Sequence, residues 1–156
     1  GGIFTGLVLW ELLPQLGYAD VAYKVAINDS YPGFGFMLKN GATTLWEHWP
    51  DGASHIHYFL GFVDNFFYRH LAGITYDNSV SGFKKMVFQP KFVEGINAAK
   101  ASYHSIHGEI KAEWKKTNDR KYEYKVLVPP NCIAEVDLSG SIKQVKSGEY
   151  IFIINQ

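Results

Sequence analysis

The apolar positions of this chain change their period partway along it. In residues 5–16, Leu9, Leu12, Leu13 and Leu16 make one stripe at helical spacing, with Thr5 available as an N-cap and Pro14 placed to end or kink the helix. After a break at Gly17, residues 18–28 repeat the pattern through Tyr18, Val21, Ala22 and Val25, with Asp20 suited to the positive start of a helix. A third helix is predicted over residues 57–71, its stripe being Phe59, Phe62, Val63, Phe66 and Phe67. Tyr58 and Leu60 widen that stripe, which puts the helix between two layers, and Gly73 terminates it. Residues 30–56 are rich in Gly, Pro, Trp and His, with strand character only at residues 43–46. A loop of that length inside a compact domain is usually functional or else misassigned.

Beyond Gly73 the period becomes two. Ile110, Ala112 and Trp114 alternate with Glu109, Lys111, Glu113 and Lys115; Tyr122, Tyr124, Val126 and Val128 follow an Asn118-Asp119 turn. Ala134, Val136 and Leu138 alternate with Glu135 and Asp137, and Tyr150, Phe152 and Ile154 form a last strand after a Ser147-Gly148 turn. Short strands with one wet face predict an antiparallel β-sandwich. The strict alternation assigns Trp114, Tyr122 and Tyr124 to its core rather than to a sugar-binding face. The fold class is therefore α+β, with a helical part over residues 1–74 and a β-sandwich over residues 75–156. Three helices are too few to close a core around so many aromatic residues. Their outer faces are expected to be covered by upstream chain or by a second copy, through self-association.

Lys plus Arg and Asp plus Glu balance at 15 each, with no basic run, so nothing draws the chain to nucleic acid or to an acidic membrane. Every apolar run is interrupted before it reaches the length of a transmembrane helix. The single cysteine, Cys132, forms no internal disulfide and reads as a small buried hydrophobe. Localisation stays open between periplasmic, secreted and cytoplasmic. The Gly1-Gly2 opening, without Met or a basic leader, suggests an artificially cut piece or an interior segment rather than a natural start. His48, His55 and His57 have spacing that suits a metal, but no cysteine or acidic third ligand stands at matching distance, and no metal or organic cofactor is expected. Gly33-Phe34-Gly35 is too short for a dinucleotide fingerprint, and Ser30 and Ser54 form no nucleophile elbow. Asn28-Asp29-Ser30 is a formal glycosylation sequon, a pattern short enough to arise by chance.

Two motifs carry a family resemblance. The aromatic-rich turn at residues 31–38 leads into Gly41-Ala42-Thr43-Thr44-Leu45-Trp46-Glu47-His48-Trp49. Then come Ser54-His55-Ile56-His57 and the exit Leu71-Ala72-Gly73-Ile74. Together these resemble the inverting α-L-rhamnosidases of bacteria, and the likeness continues through Gly108-Glu109-Ile110 and Val128-Pro129-Pro130-Asn131. The resemblance implies the closing helices of a six-hairpin (α/α) barrel followed by a C-terminal β-sandwich. It implies hydrolysis of terminal α-L-rhamnosyl residues, with Glu47 as the general base, His57 as a sugar contact, and Trp46 and Trp49 as cleft walls. Ile56 departs from the family, which commonly has Asn there.

An inverting glycosidase needs two carboxyl groups roughly 6.5–9.5 Å apart, one protonating the leaving oxygen and one deprotonating water. Only one is recognisable. The family's general acid lies far upstream, Asp20 matches nothing in it, and Asp51 sits in a Pro50-Asp51-Gly52 turn where Asp is ordinary turn chemistry. The chain alone is thus expected to be inactive, and to work with the upstream barrel segment of the same protein on a carbohydrate substrate. The bland alternative for Glu47 is an ion pair at a barrel rim. The alternative for the whole chain is a non-catalytic carbohydrate-binding or scaffold module of the same architecture. A different (α/α)-barrel glycosidase or phosphorylase is a third.

Overall fold

Helix α1 (Ile3–Gln15) begins before the expected start, so Thr5 lies inside its first turns rather than capping it. The structure, a computed structural model, describes residues 3–50 and 54–155, and Asp51 and Gly52 of the expected turn lie outside the described residues. The chain divides into two compact units, Gly1–Phe66 and Phe67–Gln156.

In the first unit, α1 packs on α2 (Ala19–Ala26) and on the helical segments at residues 58–65. The faces they bury overlap only in part with the stripes read from the sequence, sharing Ala22 fully and Leu9 and Leu13 in part. Among the described side chains of α1, Trp10 and Pro14, one turn apart, are buried, Leu9 and Leu13 are half-buried and Leu12 is exposed, as is Leu16 just beyond the helix. Pro14 stays within the helix, near its end, and does not break it. On α2 the buried face is Ala19, Ala22 and Ala26, while Tyr18, Val21 and Val25 face outward. Small side chains let two helix backbones approach closely, and Ala22 is fully enclosed. Residues 34–39, expected to be loop, form a short helix α3 (Phe34–Lys39).

The third expected helix is present but composite: a 3-10 segment Tyr58–Phe62, a short α segment Val63–Asn65 and a π-helical end Phe66–Leu71. Its predicted stripe holds, with Val63 and Phe66 buried and Phe59, Phe62 and Phe67 half-buried. The divide between the units falls within this run.

The second unit is one six-stranded sheet: β1 (Ile74–Tyr76), β2 (Lys85–Phe88), β3 (Ala98–Ser105), β4 (Gly108–Asn118), β5 (Lys121–Leu138) and β6 (Ser141–Asn155), in the order β1-β2-β5-β4-β3 with β6 also on β5. All pairings are antiparallel except β2 with β5. Strand β5 is the spine. Its first half pairs with β4 and with the end of β6, and its second half pairs with β2 and with the start of β6. The register breaks between Val128 and Ile133, where two prolines and Asn131 (φ 58°) interrupt the ladder.

Phe88 of β2 stands in register with Val136, yet its ring lies 6.4 Å from that of Tyr124. Twelve residues of straight strand would separate Tyr124 from Val136 by about 40 Å, so β5 must double over at its break and bring its halves face to face. The core between them is Ile110, Ala112, Trp114, Tyr122, Tyr124, Val126, Val128, Ala134 and Val136, all buried, together with Met86 and Phe88. The alternation read from the sequence is thus the buried face. One turn is displaced: Ser147 and Gly148 lie inside β6, and the reversal between β5 and β6 is at Ser139 and Gly140, both with positive φ as a two-residue hairpin loop of the I′ type requires.

The exit from the helical run is tied down within this unit. The Trp114 indole N–H donates to Leu71 O (2.7 Å) and the Tyr124 hydroxyl donates to Ala72 O (3.0 Å). Gly73 follows at φ 84°, and a Cβ there would lie 2.4 Å from Pro90 N. Both left-handed backbone and close approach demand glycine at this position.

Candidate active site

Glu47 is held by two lengths of backbone that run side by side without forming regular strands. Its own N–H donates to Ser54 O (2.8 Å), and the His57 N–H donates to Leu45 O (2.9 Å). The Thr44 hydroxyl bonds His55 O. The strand character read at residues 43–46 is realised as this irregular pairing with residues 54–57. The register brings the carboxylate back onto the opposite arm, where Ser54 N–H donates to Glu47 Oε2 (3.4 Å). Among the described residues no ion pair engages Glu47.

Glu47 borders a cavity of about 310 Å³. Thr5, Gly6, Leu9 and Trp10 of α1 form one side, with Val25 of α2; Pro32, Gly33 and Phe34 form another, and Trp49 and Leu60 complete it. Among the described lining residues Glu47 is the sole ionisable group. The aromatic walls brace one another: Phe34 meets Trp49 edge-on (5.3 Å between centroids) and Trp10 at a tilt (6.3 Å), and Trp10 packs on Phe66 (6.0 Å).

The four residues singled out from the sequence are therefore placed differently. Glu47 and Trp49 border the cavity. Trp46 is 5% exposed, lies outside the described lining, and stacks on His55 at 5.0 Å. His57 also lies outside that lining. Its ring sits beside Tyr58 and Phe59, and its Nδ1 is enclosed and without a hydrogen-bond partner among the described residues. Ile56, the departure from the family motif, is 82% exposed. His48, His55 and His57 are not gathered as ligands: among the described residues no group of three or more His, Cys, Asp or Glu is placed to hold a metal ion.

Sequence reasoning did not mark Trp10, Pro32, Gly33 or Leu60 as part of a site. The aromatic-rich turn at residues 31–38 was the available signal for the second and third of these. Nothing local distinguishes Trp10 from a core residue, since its cavity partners come from four other segments.

Comparison with known proteins fixes the family. The helical part matches the bacterial alpha-L-rhamnosidase 6 hairpin glycosidase domain over residues 2–71, and the β part matches the bacterial alpha-L-rhamnosidase C-terminal domain over residues 73–150. The chain belongs to the bacterial α-L-rhamnosidase family of glycoside hydrolases. It is 31% identical over 139 residues to an alpha-L-rhamnosidase of Streptomyces avermitilis, covering 82% of this chain and 13% of the relative. It is 30% identical to one of Alteromonas sp., covering 82% of this chain and 15% of the relative. The chain thus spans about 13–15% of the length of these curated relatives. Among solved structures, the alpha-L-rhamnosidase of Dictyoglumus thermophilum aligns with a TM-score of 0.87 at 30% identity, over 99% of this chain and 21% of that one. The Streptomyces avermitilis enzyme, complexed with L-rhamnose, aligns with a TM-score of 0.80 at 27% identity, over 92% of this chain and 17% of that one. An Aspergillus terreus enzyme at 20% identity and TM-score 0.84 shares the fold.

Proposed function

We propose that this chain supplies the closing helices of the catalytic barrel and the C-terminal β domain of an enzyme that hydrolyses terminal α-L-rhamnosyl residues with inversion. Glu47 is its general base. The observation that supports this is the solitary carboxylate at the edge of an aromatic-walled cavity, in a volume near the lower end of the roughly 300–1,000 Å³ typical of ligand pockets.

In the reaction, water attacks the anomeric carbon from the face opposite the aglycone while Glu47 takes a proton from that water. A general acid contributed by the upstream barrel protonates the departing oxygen, so the sugar leaves with inverted configuration. The apolar walls keep other solvent away from the carboxylate, and the Ser54 N–H fixes one of its oxygens without neutralising it. Trp49 serves as a wall of the sugar site. Trp46 buttresses His55 behind it, and His57 keeps the sugar contact that its place in the family motif implies. The L-rhamnose reported with the Streptomyces avermitilis relative is consistent with this substrate class. We place the boundary between the catalytic part and the β domain near residue 74, close to where the two family matches meet, one ending at residue 71 and the other beginning at residue 73.

The test uses the longer protein that includes the upstream barrel. Glu47→Gln is expected to lower kcat on an aryl α-L-rhamnoside by roughly 10²–10⁴-fold, and equally for good and poor leaving groups, because the base acts on water and not on the aglycone. Proton NMR of the first sugar released reads the inversion. A variant with undiminished turnover, or release of the retained anomer, defeats the assignment.

A further inference from the structure

Asn28 follows α2, and its side chain is committed to the loop that comes next. Its Nδ2 donates to Ser30 O (3.1 Å) and to Pro32 O (2.9 Å). Its Oδ1 accepts from the Ser30 N–H (3.3 Å) and from the Ser30 hydroxyl (2.9 Å). All four hydrogen-bonding positions of the carboxamide are thus used on residues 30–32. Its backbone carbonyl accepts from the Gly35 N–H (3.0 Å).

The loop is wound tightly around this residue. A Cβ on Gly33 would lie 2.4 Å from Asn28 O and 2.7 Å from Asn28 Nδ2, and one on Gly35 would lie 2.6 Å from Asp29 Cα. Gly33 has extended backbone (φ −170°), so close approach is what requires glycine there. Lys39 at the end of α3 pairs with Asp29 and closes the loop from the other side. The residues that this winding places are the cavity wall. Pro32, Gly33 and Phe34 border the same cavity as Glu47, and Phe34 in turn bears on Trp49 and Trp10.

We propose that Asn28 is a positioning residue for the sugar site: by holding residues 30–32 it sets where the Pro32, Gly33 and Phe34 wall stands, and so governs affinity for the sugar more than the chemical step. The inference rests on the reading of this cavity as the rhamnosyl site. Its chemistry is specific to a carboxamide. Aspartate has the same size and keeps both acceptors, but it loses both donors and sets a negative charge against the Ser30 and Pro32 carbonyls.

The experiment compares wild type, Asn28→Asp, Ser30→Ala and Glu47→Gln in the longer protein with its upstream barrel. The readouts are kcat and KM on an aryl α-L-rhamnoside, inhibition by free L-rhamnose, and thermal unfolding. Asn28→Asp is expected to raise KM about tenfold and to weaken L-rhamnose inhibition in step, with kcat held within about threefold. Ser30→Ala leaves both Nδ2 bonds in place and removes only the hydroxyl's bond to Oδ1, so it is expected to raise KM by less than Asn28→Asp does; an equal or larger rise would overturn the role given to the Nδ2 donors. A folded Asn28→Asp with unchanged KM and inhibition overturns the proposal, as does a loss confined to kcat. Should Asn28→Asp fail to fold, Asn28→Ser, which retains one donor, is expected to show the same split at smaller size, and unchanged KM there is equally fatal. A Glu47→Gln variant with wild-type kcat would instead sink the catalytic reading, and the role of Asn28 with it. An inactive Glu47→Gln beside an unaltered Asn28→Asp sinks only the positioning role.

Discussion

Within the second unit, single side chains tie the segment that precedes β1 to the sheet. Trp114 and Tyr124 are fully buried, and each spends its one polar hydrogen on a carbonyl of the exit segment, Leu71 and Ala72. Burial also pushes the Tyr124 hydroxyl well above the usual tyrosine range, so it remains a donor throughout the ordinary pH range. Tyr124→Phe would leave the Ala72 carbonyl facing apolar rings, a loss expected to be about 1–3 kcal/mol. Urea unfolding should show a lower midpoint with an unchanged m-value, whereas an unchanged midpoint would mean that the carbonyl finds another donor. The sequence marked both rings as core through their alternation, and marked Gly73 as a terminator. It was silent on what the rings bond, because their partner carbonyls lie 43 and 52 residues away. Glu47 was legible in the same partial way: the motif pointed to the residue, while the cavity beside it is assembled from α1, α2 and the turn before α3.

At the level of elements, chemistry at strand ends ties the sheet together. Lys85, at the start of β2, bonds Asp77 after β1 and Glu135 on β5, both at 2.8 Å. The Lys85 ammonium, helped by Ser79, holds the Asp77 carboxyl well below the usual carboxylate range, and Asp77 with Glu135 raises Lys85 above the usual lysine range. Because Asp77 is depressed in the folded state, its contribution to stability is whole above the ordinary aspartate pKa of about 4 and is lost as pH falls from there toward its folded value. Lys85 acts in the opposite sense, losing its contribution as pH rises above about 10.4 toward its own raised value. Asp77→Asn should therefore flatten the acid limb: between about pH 5 and pH 2 the melting temperature of wild type should fall more steeply than that of the variant. Equal slopes would show that other carboxylates control acid unfolding. The helices teach a different lesson. Leucine and valine spacing predicted where α1 and α2 lie, yet the buried contacts use Trp10, Pro14 and three alanines. Periodicity finds a helix, but it does not say which side meets the neighbour when apolar residues occur on several sides.

For the molecule as a whole, the exposed faces matter as much as the buried ones. Leu12, Leu16, Tyr18, Val21 and Ile27 are all exposed on or beside the first two helices, more apolar surface than an isolated soluble unit usually presents. We take these to be surfaces for the remaining hairpins of a barrel, in keeping with a chain that spans about 13–15% of its curated relatives. It follows that the 156-residue chain should release no detectable aglycone from an aryl α-L-rhamnoside, while the longer protein does so. Turnover by the short chain that disappears in Glu47→Gln would show that the acid lies within it. By itself, the sequence determined the helix-then-sheet order, the inward face of β4 and of both halves of β5, and the glutamate to which the family motif points. These depend on residues near one another in the chain, whose periods and turn chemistry are local. Tertiary structure alone decided the doubling-over of β5 that brings Phe88 to Tyr124, the alanine face of α2, and the cavity wall that Asn28 holds. Each of those is a contact between segments distant in sequence, and which surfaces meet is set by side-chain volume and unsatisfied hydrogen bonds across the gap, quantities that no local pattern records.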